Sequence, residues 1–472
     1  MVTGSSVSST KVGAKASVFG SDPPMAQPIP PESQAKDRRR SYADGAFFSV
    51  MVGFGESYLS AFALAIGRSQ VSSGLLSTLP LVFGGVLQLV TPRLSRTLPG
   101  HRSWVVACTV LQALVYLPLV GFALLGSAPF PALFALVSLY WGFGMAGGAV
   151  WNNWIDAIVP RDRLARFFAL RSRLTQLASF LAFLAAGLYL HYVDAGAKAF
   201  AALFAAALVA RLVSAFCLHA QSDVTTTPDS APLSPLPLSE ALRRFLNPRS
   251  GRFLLYMLVM QVSLNLASPF FTPYMLARLQ FSYAEYVAIV AGAYVSKIVF
   301  YPGIAAVVER LGAFRALWLS GLTVSVPPLL WFLTPQLWVL IALQVVAGFT
   351  WGIFELASTL LIFDRIRAEE RIGILSLYNF LNACAVALGS AVGGLILARV
   401  DVAEGYPIIF SLSAAARLLS LLALVRAGMA LAQVRGGVKS ALIAIRTVTL
   451  RPGRDVLDMP VLGGKRGRKD RP

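Results

Sequence analysis

The fold class that this sequence predicts is an all-α membrane protein, with twelve transmembrane helices in two pseudo-symmetric six-helix bundles. Three observations predict it. Hydrophobic residues make up 56% of the 472 and charged residues only 13%, with a mean hydropathy of +0.67. A soluble domain carries about 25% charged residues. Twelve apolar runs are long enough to cross a bilayer, which needs about 20 residues each. The chain also repeats itself with a period near half its length.

The spans are expected at 45–67, 71–91, 103–126, 131–153, 172–192 and 198–219 in the first half. In the second half they are expected at 252–276, 284–307, 314–333, 336–360, 373–398 and 406–426. Residues 1–44, rich in Ser, Pro and charge, read as a disordered N-terminal tail. Residues 45–219 form the first bundle, and 220–250, with its TTTPDSAPLSPLPL stretch, a linker. Residues 251–427 form the second bundle and 428–472 a basic tail.

The repeat is carried by particular residues. The turn from Trp151 to Leu174 (WNNWIDAIVPRDRLARFFALRSRL) has a counterpart around Asp364. Asp156 and Asp364 are 208 residues apart, as are Arg163 and Arg371. Arg68 and Arg278 are 210 apart, as are Pro92 and Pro302. ARLVS from Ala210 and ARLLS from Ala416 are 206 apart. Six spans per half make the halves parallel, related by an axis along the membrane normal.

Charge sets the expected orientation. Of 41 Lys and Arg, four fall in loops on one side (Arg68, Lys198, Arg278, Arg399) and three within spans, leaving 34 on the side of the two tails. Positive loops stay inside, so tails and linker are expected in the cytoplasm and the protein in the cytoplasmic membrane. The net charge of +19 is thereby a topology and lipid signal, and nucleic acid is not an expected partner. Cys108, Cys217 and Cys384 lie in apolar runs, and His101, His191 and His219 are scattered, so no metal site, disulfide or cofactor is expected. No phosphate-binding Gly-Lys-Ser/Thr loop occurs, which argues against ATP drive, and nothing points to an enzyme.

Twelve spans, a parallel six-plus-six repeat, a long central linker and basic even-numbered turns resemble the major facilitator superfamily. The turn after the second span of each half carries a Gly/Asp/Arg pattern in that superfamily. Here the second half keeps Glu309, Arg310, Gly312 and Arg315, and the first half Arg93, Arg96, Gly100 and Arg102 without an acid. Trp151, Trp154, Val159, Pro160, Arg163, Phe167, Phe168 and Arg171 resemble bacterial permeases of unassigned substrate. The resemblance implies two bundles rocking about a central site, with the first, fourth, seventh and tenth spans lining it.

Charges inside spans mark the candidate site, because one at the bilayer centre costs at least ~2.5–3.5 kcal/mol and so faces a cavity or a partner. Glu56 sits mid-way along the first span in GFGESYLS, and Glu355 in the tenth; both are candidate proton carriers. Lys297, central in the eighth span, is expected to pair with an acid or meet an anionic substrate. Gln261, Asn265, Asn379 and Asn382 are candidate substrate ligands, with Tyr58, Trp351, Tyr140, Trp141 and Tyr378 as aromatic walls. Pro269 and Pro273 are expected to break the seventh span. Asp156, Arg163, Arg171, Asp364 and Arg371 are candidate gating charges at the cytoplasmic face. Arg211 and Arg417, at matching places in the sixth and twelfth spans, are expected to snorkel to the headgroups.

The expected function is secondary active transport of a small solute by alternating access, driven by protons, with lipids, the solute and protons as partners. The alternatives are an uncoupled facilitator or exchanger of an anionic solute, and a non-transporting sensor or scaffold.

Overall fold

The computed structural model describes residues 31–98, 100–159, 161–193, 196–223, 243, 251–366, 368–400 and 402–428, and these contain helices and no strand. Among the described residues eleven helices are long and apolar enough to cross a membrane. In the first half these are Ser33–Ala65, Gln70–Thr91, Gly100–Leu125, Phe130–Asn152, Leu170–Tyr192 and Gly196–His219. In the second they are Gly251–Arg278, Ala313–Leu333, Leu337–Ile362, Leu377–Arg399 and Glu404–Leu422. The eighth span completes twelve as two pieces, Tyr283–Val299 and Gly303–Leu311, bent by 63°. The expected twelve-span, two-bundle layout is therefore present.

The repeat extends to where the helices break. The first span stops at Phe54 and resumes as a 3-10 turn, Glu56–Tyr58. The seventh stops at Asn265 and resumes at Ser268–Phe270, where Pro269 and Pro273 withdraw backbone donors as anticipated. The third breaks between Leu114 and Tyr116, and the ninth between Val324 and Pro327. Gly55 and Leu266 are 211 residues apart, and so are Val115 and Val326. Gly55 is required at its break, because a Cβ there would collide with the ring and hydroxyl of Tyr116.

Two expectations are corrected. Residues 31–44, expected in a disordered tail, are helical from Pro31, continuous with the first span. Asp37, Ser41 and Asp44 are buried. The order comes from polar docking. Asp37 Oδ1 accepts from the Ser222 amide at 3.1 Å, Arg40 donates to the Ala220 carbonyl, and Trp154 Nε1 donates to the Ser222 carbonyl at 3.2 Å. The first residues of the linker are thus strapped to the bundle, while 224–250 (apart from 243) and the tails at 1–30 and 429–472 lie outside the described residues.

Arg211 and Arg417, expected to snorkel, are instead buried, at 8% and 4% exposure. Arg417 Nη1 donates to the Val324 carbonyl at 2.9 Å and Nη2 to the Leu264 carbonyl at 3.5 Å. Both carbonyls belong to helix segments that end at the breaks, where the partial charge is negative. The breaks supply what headgroups would otherwise have supplied.

The distribution of the apolar core reveals the conformation. Call the end with residue 31 and Gly428 the tail end, and its opposite the far end. One buried cluster joins both bundles toward the far end, from Tyr58, Phe62 and Phe200 of the first half to Phe270, Tyr286 and Tyr406 of the second. Tyr58 meets Tyr286 edge-on at 6.3 Å, Phe200 meets Tyr283 at 6.1 Å, and Tyr406 Oη donates to Gln70 Oε1 at 2.5 Å. Toward the tail end the clusters are separate: Val105 to Leu218 in the first bundle, Phe253 to Leu421 in the second. The bundles share one buried core at the far end and have separate cores toward the tail end.

The packing of the second span on the eleventh, which joins the bundles nearer the tail end, can be tested by cross-linking. A Cβ at Gly85 would lie 3.4 Å from the Ala383 Cβ, across the two bundles, near the ~3.5–4.5 Å of disulfides. With Cys108, Cys217 and Cys384 replaced, the Gly85→Cys, Ala383→Cys variant is expected to stay at full length on a denaturing gel after oxidation and proteolysis in the 220–250 linker. Two half-length bands under oxidation would refute this packing.

Candidate functional site

The break in the first span places Glu56. Freed from a regular helix turn, its half-buried side chain meets the fourth span, where Tyr140 Oη donates to Glu56 Oε2 at 2.7 Å. Tyr140 is itself 2% exposed and packs edge-on against Tyr116 at 5.8 Å. The Tyr116 hydroxyl is buried there as well. Tyr294 of the eighth span lies close enough to sense the Glu56 charge and packs on Phe180 of the fifth span at 5.9 Å. A carboxylate of the first bundle is thus set against the aromatic boundary with the second.

One helical turn beyond Tyr294, Lys297 Nζ donates to both oxygens of Glu355, each at 2.8 Å. Lys297 and Glu355, weighed separately as an anion ligand and a proton carrier, form one ion pair between the eighth and tenth spans. The side chains are 33% and 53% exposed. An open charge pair at this depth is tolerated where the surface beside it is a water-filled cleft rather than lipid. Glu355 also has the carbonyl that Ser358 and Thr359 hydroxyls bond, at 3.0 and 2.8 Å.

The amide candidates are distributed over the seventh and eleventh spans. Gln261 and Asn265 are half-buried, and Asn265 Nδ2 donates to the Gln261 carbonyl at 2.9 Å, so these two stack along the turn before the break. Asn379 is exposed; Asn382 is half-buried and its Oδ1 has no partner among the described residues. Trp351 is half-buried and stacks on Phe354 at 5.1 Å. Tyr58 does not belong with them. It is fully buried, and its hydroxyl is consumed by the Phe183 carbonyl at 2.7 Å, which makes it part of the far-end core rather than a cavity wall. Tyr378 is likewise buried, at 9% exposure.

Of the gating candidates, Arg171 is held inside its own bundle. Its Nη2 lies 3.0 Å from Asp44 Oδ2 and its guanidinium 4.3 Å over the Trp151 ring. It ties the first, fourth and fifth spans together and does not reach across to the second bundle. Asp364 is exposed at the end of its helix; what packing it has raises its carboxyl above the ordinary value, against the pull of Arg365. The side chains of Asp156, Arg163 and Arg371 lie outside the described ones. Among the described residues no group of three His, Cys, Asp or Glu could hold a metal.

Two partners were missed in the sequence. Asp44 sat in the expected tail, and Gln112, fully buried in the third span, was passed over as one amide in an apolar run. Its burial mid-span was the available signal, since an amide in hydrocarbon needs a partner.

The Lys297–Glu355 pair makes a direct prediction. Lys297→Gln or Glu355→Gln alone leaves one charge unpaired beside the cleft, which for so exposed a pair costs on the order of 1 kcal/mol. Each single variant is expected to lower the melting temperature of the purified protein, and the double variant to recover most of the loss. Additive losses in the double would show that the two side chains are not coupled.

In sequence, residues 253–452 match the family model described as Major Facilitator Superfamily. No curated protein matches the chain. Among solved structures, a mutant of the nucleoside transporter NupG superimposes with a TM-score of 0.66 at 12% identity, over 84% of this chain and 99% of that one. A bacterial homologue of the iron transporter ferroportin in its inward-facing state gives 0.64 at 14% identity, over 85% and 100%. A bacterial ferroportin homologue in the outward-facing state gives 0.56 at 15% identity, over 84% and 99%. The second half of the chain, residues 253–452, is thus similar to the Major Facilitator Superfamily, and the superpositions show the fold of these transporters over most of the chain.

Proposed function

We propose that this protein is a secondary active transporter that moves a small polar solute across the cytoplasmic membrane by alternating access, coupled to protons through Glu56. The observation that carries the reading is the Glu56 carboxylate. It sits at a helix break deep in the span, half open, held by one phenol (Tyr140) and by no described cation within ion-pair distance. A membrane protein with no use for a titrating group has no reason to keep one there.

The tail end is cytoplasmic on the arginine bias. The described conformation is then open to the cytoplasm and sealed outside. The better superposition on the inward-facing ferroportin homologue than on the outward-facing one supports this. Gln261, Asn265, Asn379, Asn382 and Trp351 are the groups from which the solute site of the second bundle is built, amides for hydrogen bonds and a ring for an apolar face. The Lys297–Glu355 pair serves as a gate lock or solute-displaced contact at the cleft. Because Glu355 already neutralises Lys297, exchange of an anionic solute on a free lysine is the weaker reading.

The test is transport in proteoliposomes, with nucleosides, peptides, sugars and metal cations offered as pools. An inward proton gradient is expected to drive accumulation from one pool by the wild type. Glu56→Gln is expected to lose at least ~10-fold of that accumulation while retaining counterflow exchange, since a permanently neutral carboxamide carries no proton. Equal accumulation by both proteins would remove Glu56 from coupling.

A further inference from the structure

The arginine of the sixth span has a chain of partners that the proton-coupling reading does not use. Arg211 Nε donates to Gln112 Oε1 at 2.9 Å, and Gln112 Nε2 donates to the backbone carbonyl of Tyr140 at 3.2 Å. The hydroxyl of the same Tyr140 holds Glu56. On its other side Arg211 Nη1 donates to Ser214 Oγ at 2.8 Å, and Ser214 Oγ donates to Asp44 Oδ1 at 2.7 Å. Asp44 then meets Arg171. The Arg211 guanidinium also lies 4.8 Å over the Phe48 ring.

Arg211 is therefore a buried cation placed between two carboxylates of one span, Asp44 and Glu56, about three turns apart. It contacts neither directly: one hydroxyl stands between it and Asp44, and toward Glu56 the link runs through the Gln112 carboxamide to the backbone carbonyl of Tyr140, whose phenol holds Glu56. The charges of this network, Arg211 and Arg171 against Asp44 and Glu56, sum to zero only when Glu56 is ionised. The repeat shows that this is a specialisation. Arg417, the counterpart of Arg211, bonds backbone carbonyls at two helix breaks. The residue 208 positions after Asp44 is Arg252, so no matching acid exists in the second bundle.

We infer that Arg211 is a positioning residue for proton coupling: through Gln112 and Tyr140 it orients the phenol on Glu56 and supplies the counter-charge that lets Glu56 ionise inside the bundle, with Asp44 competing for that charge. The remaining groups around Glu56 are Tyr116 from the third span, Tyr140 from the fourth and Tyr294 from the eighth, with the Lys297–Glu355 pair one turn further along the eighth span. None of these is a second free cation, and Arg211 is the buried cation that hydrogen bonds lead to from the Tyr140 that holds Glu56.

The inference rests on Glu56 as the proton site, and it predicts opposite effects from the two ends of the network. Infrared titration of the purified full-length protein reads the carboxylic C=O band of Glu56, assigned by its loss in Glu56→Gln. Arg211→Gln removes the counter-charge, so the pH of half-protonation is expected to rise by about one unit. Asp44→Asn removes the competitor, so the midpoint is expected to fall by a comparable amount, and Arg211→Lys is expected to restore the wild-type value in large part. Loosened packing would move both neutralising variants in the same direction. A shift of the same sign in both, or a midpoint unmoved in either folded variant, overturns the counter-charge role while leaving Glu56 as the coupling group. Absence of any titrating Glu56 band in the wild type overturns both readings.

Discussion

Hydrocarbon offers no hydrogen-bond partner, and everything particular about this structure follows from how the chain meets that constraint. A regular helix satisfies its own backbone; a broken one does not. Among the described spans, the breaks at Gly55, Val115, Leu266 and Val326 release carbonyls into a setting without water. In the second bundle Arg417 takes up the carbonyls of Leu264 and Val324. In the first, Gln112 stands at the end of the third span's first segment and bonds the Tyr140 carbonyl and Arg211. In the second bundle the breaks and the buried arginine are two sides of one arrangement. The break needs a donor, the cation needs acceptors, and neither is tolerable alone.

The same constraint explains how the bundles can separate. The polar networks are complete within each bundle. Asp44, Ser214, Arg211, Gln112 and Tyr140 lie in the first, and Lys297, Glu355 and Arg417 in the second. What joins the bundles at the far end is mostly aromatic and aliphatic surface, with the Tyr406–Gln70 hydrogen bond. Parting such an interface strands no buried charge. Aromatic contacts, worth about 0.5–1.5 kcal/mol each beyond their area, can be exchanged for contacts at the opposite end. Rigid-body rocking is what this distribution of interactions permits.

The fold was legible because its signals are long and redundant. Twelve apolar runs survive errors of several residues, and the repeat ties one half to the other. Glu56, Lys297 and Glu355 stood out because charge in a span is expensive. Partnerships were not legible. Whether Lys297 faces Glu355 depends on the rotation of two helices separated by 58 residues, and a single sequence carries no record of rotation. Tyr58 looked like a cavity wall because aromatic residues two positions from a buried acid can face either way. Burial of its hydroxyl against Phe183 decided it. The arginines were misread for a more instructive reason. Snorkelling assumes a regular helix with nothing nearby but lipid, and the helix breaks that make burial possible are features of other spans. The expected tail failed similarly. Residues 31–44 are polar enough to look unstructured, yet their polarity is what docks them, through Asp37, Arg40 and Asp44.

The two halves began from one plan and now hold charge differently, and this bears on where coupling resides. In the second bundle Lys297 and Glu355 cancel each other by direct contact, and Arg417 rests on fixed backbone dipoles. Neither arrangement changes its charge balance unless a contact is broken. In the first bundle no acid touches Arg211. Its links run through neutral groups, Gln112 and the Tyr140 backbone on one side and Ser214 on the other. Such indirect links transmit electrostatic influence without locking the groups into a pair. Under the proposed coupling, gaining or losing a proton at Glu56 alters the balance of the bundle without rupturing an ion pair, which is what a site that loads and unloads in every cycle requires.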